Sequence, residues 1–522
     1  MLNEEKEVLN YVTQAFSLRS KKHYKQAVEM LYKALSLDND NVEILFQLGE
    51  LYFLMNNFSR AIGYFEDTLV RNENHLESMK MLQKIYFLQN DFEQSKVLAK
   101  KVFDTEQNED NLYKYAKTLA KSGMLDELTK LKTSEYCNSD TVCVIAEALY
   151  FANKSRQAQE LLEQTDKDKE NVQVLLAKIY FENKEYEKSR EIFAKFPKMT
   201  DNAEVLNYRG LFALDDMNFT EAIKCFSKAS SISKKPVYFY NLGNAYFFNG
   251  WMKEAQSAYA KAIYEAPDNT DYRYSLAYLY YETEEFEKCK NEVEAILSSN
   301  PSHLHTRVLK ALLCNQQNDF GTSKLILEEN LSADSKDEFT LISLAKTYIY
   351  LDMFEKAEKM IMQVISENPE NLNYLADLAD VYIREKKFDE SFKLVDKIIG
   401  INPNYVYGYV TGAKTAYLKG DFEKAKEYAQ EILTLDMNCS AGYYYLAMVR
   451  FNEKDLDEAI ECMKRAILYD ANNPLYYAEM SKIYREKEDY KTAFEYVSEA
   501  ESIDNKEEYR IMYKELAKLA NK

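Results

Sequence analysis

Small residues return along this chain at a fixed step of 34. Ala255, Cys289, Ser323, Ala357, Ser391, Ala425, Ala459 and Ala493 keep it without a slip, and Ala27, Ala61 and Ser95 keep it upstream. Leu128, Ala158, Ser189 and Ala222 continue the series at intervals of 30 to 33. A period of this length means stacked supersecondary repeats, none of which can bury its apolar face alone. Twelve residues before the small residue stands another one, as in Gly49, Ala146, Gly210, Gly243, Ala277 and Ala345; three before it stands a bulky one, as in Phe58, Phe219, Phe354 and Phe422. Prolines 267, 301, 369 and 403 fall twelve residues after it.

The spacing inside one repeat is helical. Phe239, Leu242, Gly243 and Tyr246 share one face of a first helix, and Ala255, Tyr259 and Ala262 share one face of a second. Asn249-Gly250 separates them. A glycine inside a helix costs about 1 kcal/mol relative to alanine, so Gly243 implies a packing reason: with Ala255 it lets the two helices approach. Pro267 cannot continue the second helix and helps to end it.

Composition agrees with stacked helices. Only 12 glycines and 7 prolines occur in 522 residues, too few turn formers for many hairpins. The net charge of −19 repels phosphate backbones and anionic lipid heads, so nucleic-acid or membrane binding is disfavoured as the main role. The opening MLNEEKEVLNYV is acidic where a secretory leader is basic, and no run of 18 apolar residues is present. The seven cysteines are odd in number and mostly far apart, which fits reduced thiols and a cytoplasmic location.

The pattern resembles the tetratricopeptide repeat, W-x2-L-G-x2-Y…A-x3-F…P, matched in 236–269 by Phe239, Leu242-Gly243, Tyr246, Ala255, Tyr259 and Pro267. Trp251 lies in the turn and not at the motif's tryptophan place. The resemblance implies an all-α, right-handed superhelical solenoid of about fifteen antiparallel helix pairs. Repeats are expected to start near residues 8, 42, 76, 109, 139, 170, 203, 236, 270, 304, 338, 372, 406, 440 and 474. The tail KEEYRIMYKELAKLANK, with Tyr509, Met512, Leu516 and Leu519 on one face, reads as a capping helix that completes the array. Four stretches are expected: a regular array over 1–108, irregular repeats over 109–202, a regular array over 203–507 and the cap over 508–522. In the irregular stretch Leu128 replaces the small residue, 133–140 is short and polar, and Phe196-Pro197 ends a repeat early. It reads as a bend or hinge, or as divergence without motion.

The resemblance also implies a concave groove lined by first helices, with repeat places 2, 5, 9, 12 and 13 looking inward. Counted from each repeat's first residue, these places hold Tyr240, Asn244 and Phe247 in repeat 8 and Tyr274, Tyr278 and Tyr281 in repeat 9. Phe46, Phe53, Phe87, Tyr113, Tyr150, Phe181, Tyr417, Tyr444 and Phe451 add to an aromatic lining. Tyrosines give wide, rigid contact area with a polar tip and suit peptide capture. The place-12 rings admit a second reading, as core between neighbouring first helices. Lys80, Lys84, Lys114, Lys117 and Lys121 form a basic cluster on repeats 3 and 4. It reads as a site for an anion or acidic peptide, or as a solvated face answered by local carboxylates.

Other signals fail. The paired Lys and Asn of a terminal-carboxylate clamp are incomplete, and Asp140 stands where a lysine is needed. Place 6 holds no asparagine ladder. No phosphate-binding glycine loop occurs. His303 and His305, or Cys137 and Cys143, lack the partners of a metal site. The sequons at Asn57 and Asn218 read as chance. The reading is a non-enzymatic scaffold or adaptor without cofactor or metal, binding protein or peptide segments in the aromatic groove. The alternative is a regulatory or assembly subunit of a larger enzyme or secretion complex, using its convex face or edges.

Overall fold

The computed structural model describes residues 2–166, 169–197, 200–504 and 506–520, the side chains of Leu2 and Asn3 excepted. Among these residues there are 31 α-helices and no strand, from α1 (Leu2–Ser20) to α31 (Glu507–Ala520). Odd-numbered helices open a repeat and even-numbered helices close it, so the chain is an all-α solenoid of fifteen helix pairs and a closing helix. Fourteen of the fifteen expected starts are the first residue of a helix; the exception is α1, which begins at Leu2. Its extra turns carry Glu4 and Glu5, acidic groups that favour a helix N-terminus. Residues 521 and 522 of the expected cap lie outside the described residues.

The helices gather into two compact bodies, Met1–Pro267 and Asp268–Lys522. The boundary lies between α16 (Met252–Glu265) and α17 (Thr270–Glu282), within the periodic stretch 203–507.

The periodic small residue lies at the contact between the two helices of a repeat. All fifteen occupants of that place, from Ala27 to Ala493 and including Leu128, are 0% exposed. Where it is serine, the hydroxyl is satisfied. Ser95 and Ser189 donate to the carbonyls of Gln83 and Ala177 on the facing helix, and Ser323 and Ser391 meet Thr347 and Thr415 of the next repeat. Gly243 has the packing reason its cost implies. A Cβ there would lie 2.5 Å from the ring of Tyr259.

The turn between the helices is the same each time. Five residues before the small residue, one residue has a left-handed backbone. Three of these fifteen are glycines, and the others include Lys22, Asn56, Met217, Glu284 and Asp352. Second helices are then capped by side chains: the amide oxygens of Asn57 and Asn218 accept from the backbone of Arg60 and Glu221. Those two sequon asparagines therefore have a structural task. The periodic prolines follow the ends of the second helices, with α16 ending at Glu265 before Pro267. Trp251 sits at the start of α16, half exposed, stacked on Tyr246.

Second helices are 14 residues long except α8 (Leu125–Lys130), α10 (Ser155–Glu163) and α12 (Tyr186–Lys195), of 6, 9 and 10 residues. All three fall within 109–202.

Candidate functional site

The six aromatic-face residues divide between the two bodies. In the first, Tyr240, Asn244 and Phe247 follow one stripe of α15 (Pro236–Phe248), each partly exposed. The Tyr240 ring lies 6.1 Å from that of buried Tyr259, whose hydroxyl donates to Asn244 Oδ1 at 2.7 Å. Tyr259 thus spans the gap beside Gly243 and orients Asn244 from below. Phe247 meets Phe248 edge-on at 5.6 Å.

In the second body, Tyr274, Tyr278 and Tyr281 line α17, again partly exposed. Tyr274 and Tyr278 stack at 6.3 Å, and Tyr274 lies 5.8 Å from both His303 and His305. Burial, aided by Glu282, raises the Tyr278 phenol well above its usual value. Tyr281 accepts from Gln316 Nε2 at 3.2 Å and packs on Phe286 at 5.9 Å. Half-open rings fixed by neighbours present contact area at little entropic cost.

The place-12 rings share a device. Phe53, Phe87, Phe181, Tyr281 and Tyr417 each lie 5.3 to 5.9 Å from the aromatic residue five positions on, across the turn of the same repeat. One edge of each ring is spent on the turn while the side chain stays partly exposed.

The lysine cluster is partly neutralised. Lys80 pairs with Glu77 at 3.0 Å and Glu106 at 2.8 Å, and Lys114 with Asp110 at 2.6 Å. The Glu106 carboxyl is held below its usual value, first by its hydrogen bond to Lys80. Lys84 and Lys117 lie over the rings of Phe53 and Tyr113, at 5.1 and 5.4 Å. Lys117 and Lys121 line a cleft of about 550 Å3 with Tyr113 and Phe151. The adjoining cleft of about 610 Å3 is lined by Asp140, Glu147, Glu170 and Glu204. Four carboxylates from three consecutive repeats converge there, which the repeat-by-repeat spacing did not single out.

Two polar devices escaped the sequence. Asn241 Nδ2 donates to Asn207 Oδ1 at 2.8 Å in a buried contact between consecutive repeats. Arg209, at a place that holds leucine in eight other repeats, donates to the carbonyls of Phe193, Phe196 and Pro197. His303 caps α19 (Leu304–Gln316), its Nδ1 accepting from the Thr306 N–H at 3.2 Å. No group of three or more His, Cys, Asp or Glu able to hold a metal occurs among the described residues.

Two family models described as tetratricopeptide repeat match the chain, one over residues 18–86 and 416–483, the other over 237–269 and 340–371. A TPR repeat-containing protein of Methanocaldococcus jannaschii is 28% identical over 131 residues, 25% of this chain and 23% of that protein. The match thus spans about a quarter of that relative's length. The crystal structure of the APC/C hetero-tetramer Cut9-Hcn1 superposes with a TM-score of 0.53 at 13% identity, covering 85% of this chain and 96% of that one. A tetratricopeptide repeat protein from Parabacteroides merdae matches 47% of this chain and 98% of its own at 20% identity, with a TM-score of 0.39.

Proposed function

Because the chain is a tetratricopeptide repeat protein, we propose that it is a non-catalytic scaffold or adaptor that binds peptide segments of partner proteins on the aromatic faces of α15 and α17. The observation that carries this reading is the state of Tyr240, Tyr274 and Tyr278: each is held by a neighbouring ring yet keeps part of its surface open. Rings in that state offer area and a hydroxyl without a large ordering cost. Seven unpaired thiols fit a reducing, cytoplasmic setting. No described helix is long and apolar enough to cross a membrane. The stretches 1–108, 109–202, 203–507 and 508–522 are proposed as functional divisions, with the shortened second helices of 109–202 as the bend.

The test compares partners co-purified with the intact chain, with Tyr240→Ala, and with Tyr274→Ala/Tyr278→Ala, read by mass spectrometry. Loss of the same partners from either variant is the expected result. If both variants keep every partner, the aromatic faces are not the working surface.

A second reading has its own support. Val70, Tyr264 and Leu468 occupy one place of the second helix in three repeats and are 82%, 83% and 74% exposed. Apolar side chains repeated on the outer helices suit an assembly subunit that holds one fixed partner there. Co-purification at fixed stoichiometry, lost in Tyr264→Ser/Leu468→Ser and kept in the α15 and α17 variants, would select that reading.

A further inference from the structure

One place of repeat 10 is underfilled, and other repeats show what fills it. Place 11 of the first helix is tyrosine in eight of the fifteen repeats, and in four of them its hydroxyl reaches back to place 25 of the preceding repeat. Tyr86 donates to Glu66 at 3.2 Å, Tyr180 to Glu163 at 2.6 Å and Tyr348 to Glu328 at 2.8 Å. Tyr52 meets the hydroxyl of Tyr32, also at place 25, at 2.7 Å. In repeat 10 the tyrosine is replaced by Cys314, while the acceptor, Glu294, is present.

The same flank of α19 has lost a second apolar group. Place 7, which holds buried Leu48, Leu82, Leu176, Leu344 and Leu378 in other repeats, is Lys310 here. Between α18 (Phe286–Ser299) and α19 a cleft of about 560 Å3 remains, lined by Val293, Leu297, Leu313, Cys314, Lys310 and Glu294 among others. Repeats 1, 4 and 5 hold leucine at this place, repeats 7 and 13 alanine and repeat 14 arginine; in repeat 13 buried Phe392 of the preceding repeat packs against Ala416. The residue corresponding to Phe392 is Lys290, which stands at the rim of the cleft. Glu294 has no hydrogen-bond or ion-pair partner among the described residues.

We propose that this cleft receives the phenol side chain of a tyrosine presented by a partner protein, with its hydroxyl donating to Glu294 and its ring lying against Val293, Leu297 and Leu313. The partner ring takes the place that the chain's own tyrosine takes in repeats 3, 6 and 11. The occupant is aromatic because the walls are largely apolar, and it carries a donor because an exposed carboxylate without a protein partner stands at its end. This site is separate from the aromatic faces of α15 and α17, and the failure of one reading leaves the other standing.

The test uses the methyl-labelled full chain and follows the Leu297 and Leu313 resonances by NMR. The probes are p-cresol, toluene and an acetylated Gly-Tyr-Gly amide. p-Cresol and the tripeptide should shift the same two residues. Glu294→Ala should weaken p-cresol about fivefold, the loss of one solvent-exposed charged acceptor, and leave toluene unchanged. Cys314→Tyr should close the cleft, abolish both shifts and raise the melting temperature. Unmoved methyls with p-cresol overturn the site, and so do equal p-cresol affinities in the wild type and Glu294→Ala. Binding of p-cresol without the tripeptide overturns the partner tyrosine. If Cys314→Tyr does not fold, the comparison of wild type with Glu294→Ala still decides.

Discussion

Gly243 and Tyr259 show how residue size is traded across the helix pair. A Cβ at Gly243 would lie 2.5 Å from the Tyr259 ring, at Gly49 2.5 Å from Phe65, and at Gly210 2.5 Å from Phe226. Where alanine takes the glycine's place the facing residue is smaller in most repeats, as in Ala311, Ala345, Ala379 and Ala413 opposite Leu327, Ile361, Val395 and Ala429, with Ala177 opposite Phe193 as the exception. Gly243→Ala should therefore destabilise by about 2 kcal/mol through overpacking, despite the better helix propensity of alanine. Tyr259→Leu in the same chain should remove most of that penalty. Thermal unfolding of both singles and the double checks it, and simple additivity would refute the coupling. This much was legible, because a glycine inside a helical face has few physical excuses. The turn geometry was not. Its left-handed residue is glycine only at Gly123, Gly250 and Gly420, and of the other twelve only Asn56, Asn90, Asn153, Asn318 and Asp352 are types that enter this region readily. Met217 has φ 55 and is 78% exposed, so its side chain contributes little packing. Met217→Gly should stabilise by about 0.5–1 kcal/mol through relief of the left-handed strain. An unchanged or lower melting temperature would count against that account.

At the scale of the element, the three short second helices raise the question of how their ends are satisfied. A helix leaves four carbonyls without internal partners. For α12 the answer comes from the next repeat: the Arg209 guanidinium on α13 (Ala203–Asp215) donates to Phe193 O at 2.7 and 3.1 Å and to Pro197 O at 2.7 Å, with Phe196 O as a further acceptor. Early termination was legible from Phe196-Pro197. The cap was not, because an arginine at a leucine place looks like simple divergence until its carbonyl partners are brought beside it. Arg209→Met should cost about 1–2 kcal/mol and raise amide exchange in α12 first. Arg209→Lys should restore little, since a single ammonium cannot span three carbonyls as a planar fork does. Recovery of full protection by lysine would refute the fork argument. The candidate site divides in the same way. Its residues were legible from their places, but the supports were not: Tyr259 beneath Asn244 and Glu106 beside Lys80 lie 15 and 26 residues away from their partners.

At the scale of the whole molecule, each repeat contacts mainly its neighbours, so a change at one end should be felt locally. The closing helix α31 offers the cleanest trial. Its Tyr509 is 5% exposed against Ala478 and Ala500, and its Leu516 is 1% exposed against Ala493 and Val497. Met512 and Leu519 pack beside them. Each large side chain so buried contributes about 1.5–3 kcal/mol, so removal of 507–522 strips roughly 4 kcal/mol or more from the last repeat and leaves its apolar face in water. Amide exchange in α29 (Pro474–Glu486) and α30 (Tyr490–Ile503) should then rise by orders of magnitude. The helices of Met1–Pro267 should keep the protection they have in the full chain, because α31 packs on α30 and a repeat stabilises mainly its neighbours. If protection falls equally in both bodies, the chain unfolds as one cooperative block and the nearest-neighbour account is wrong.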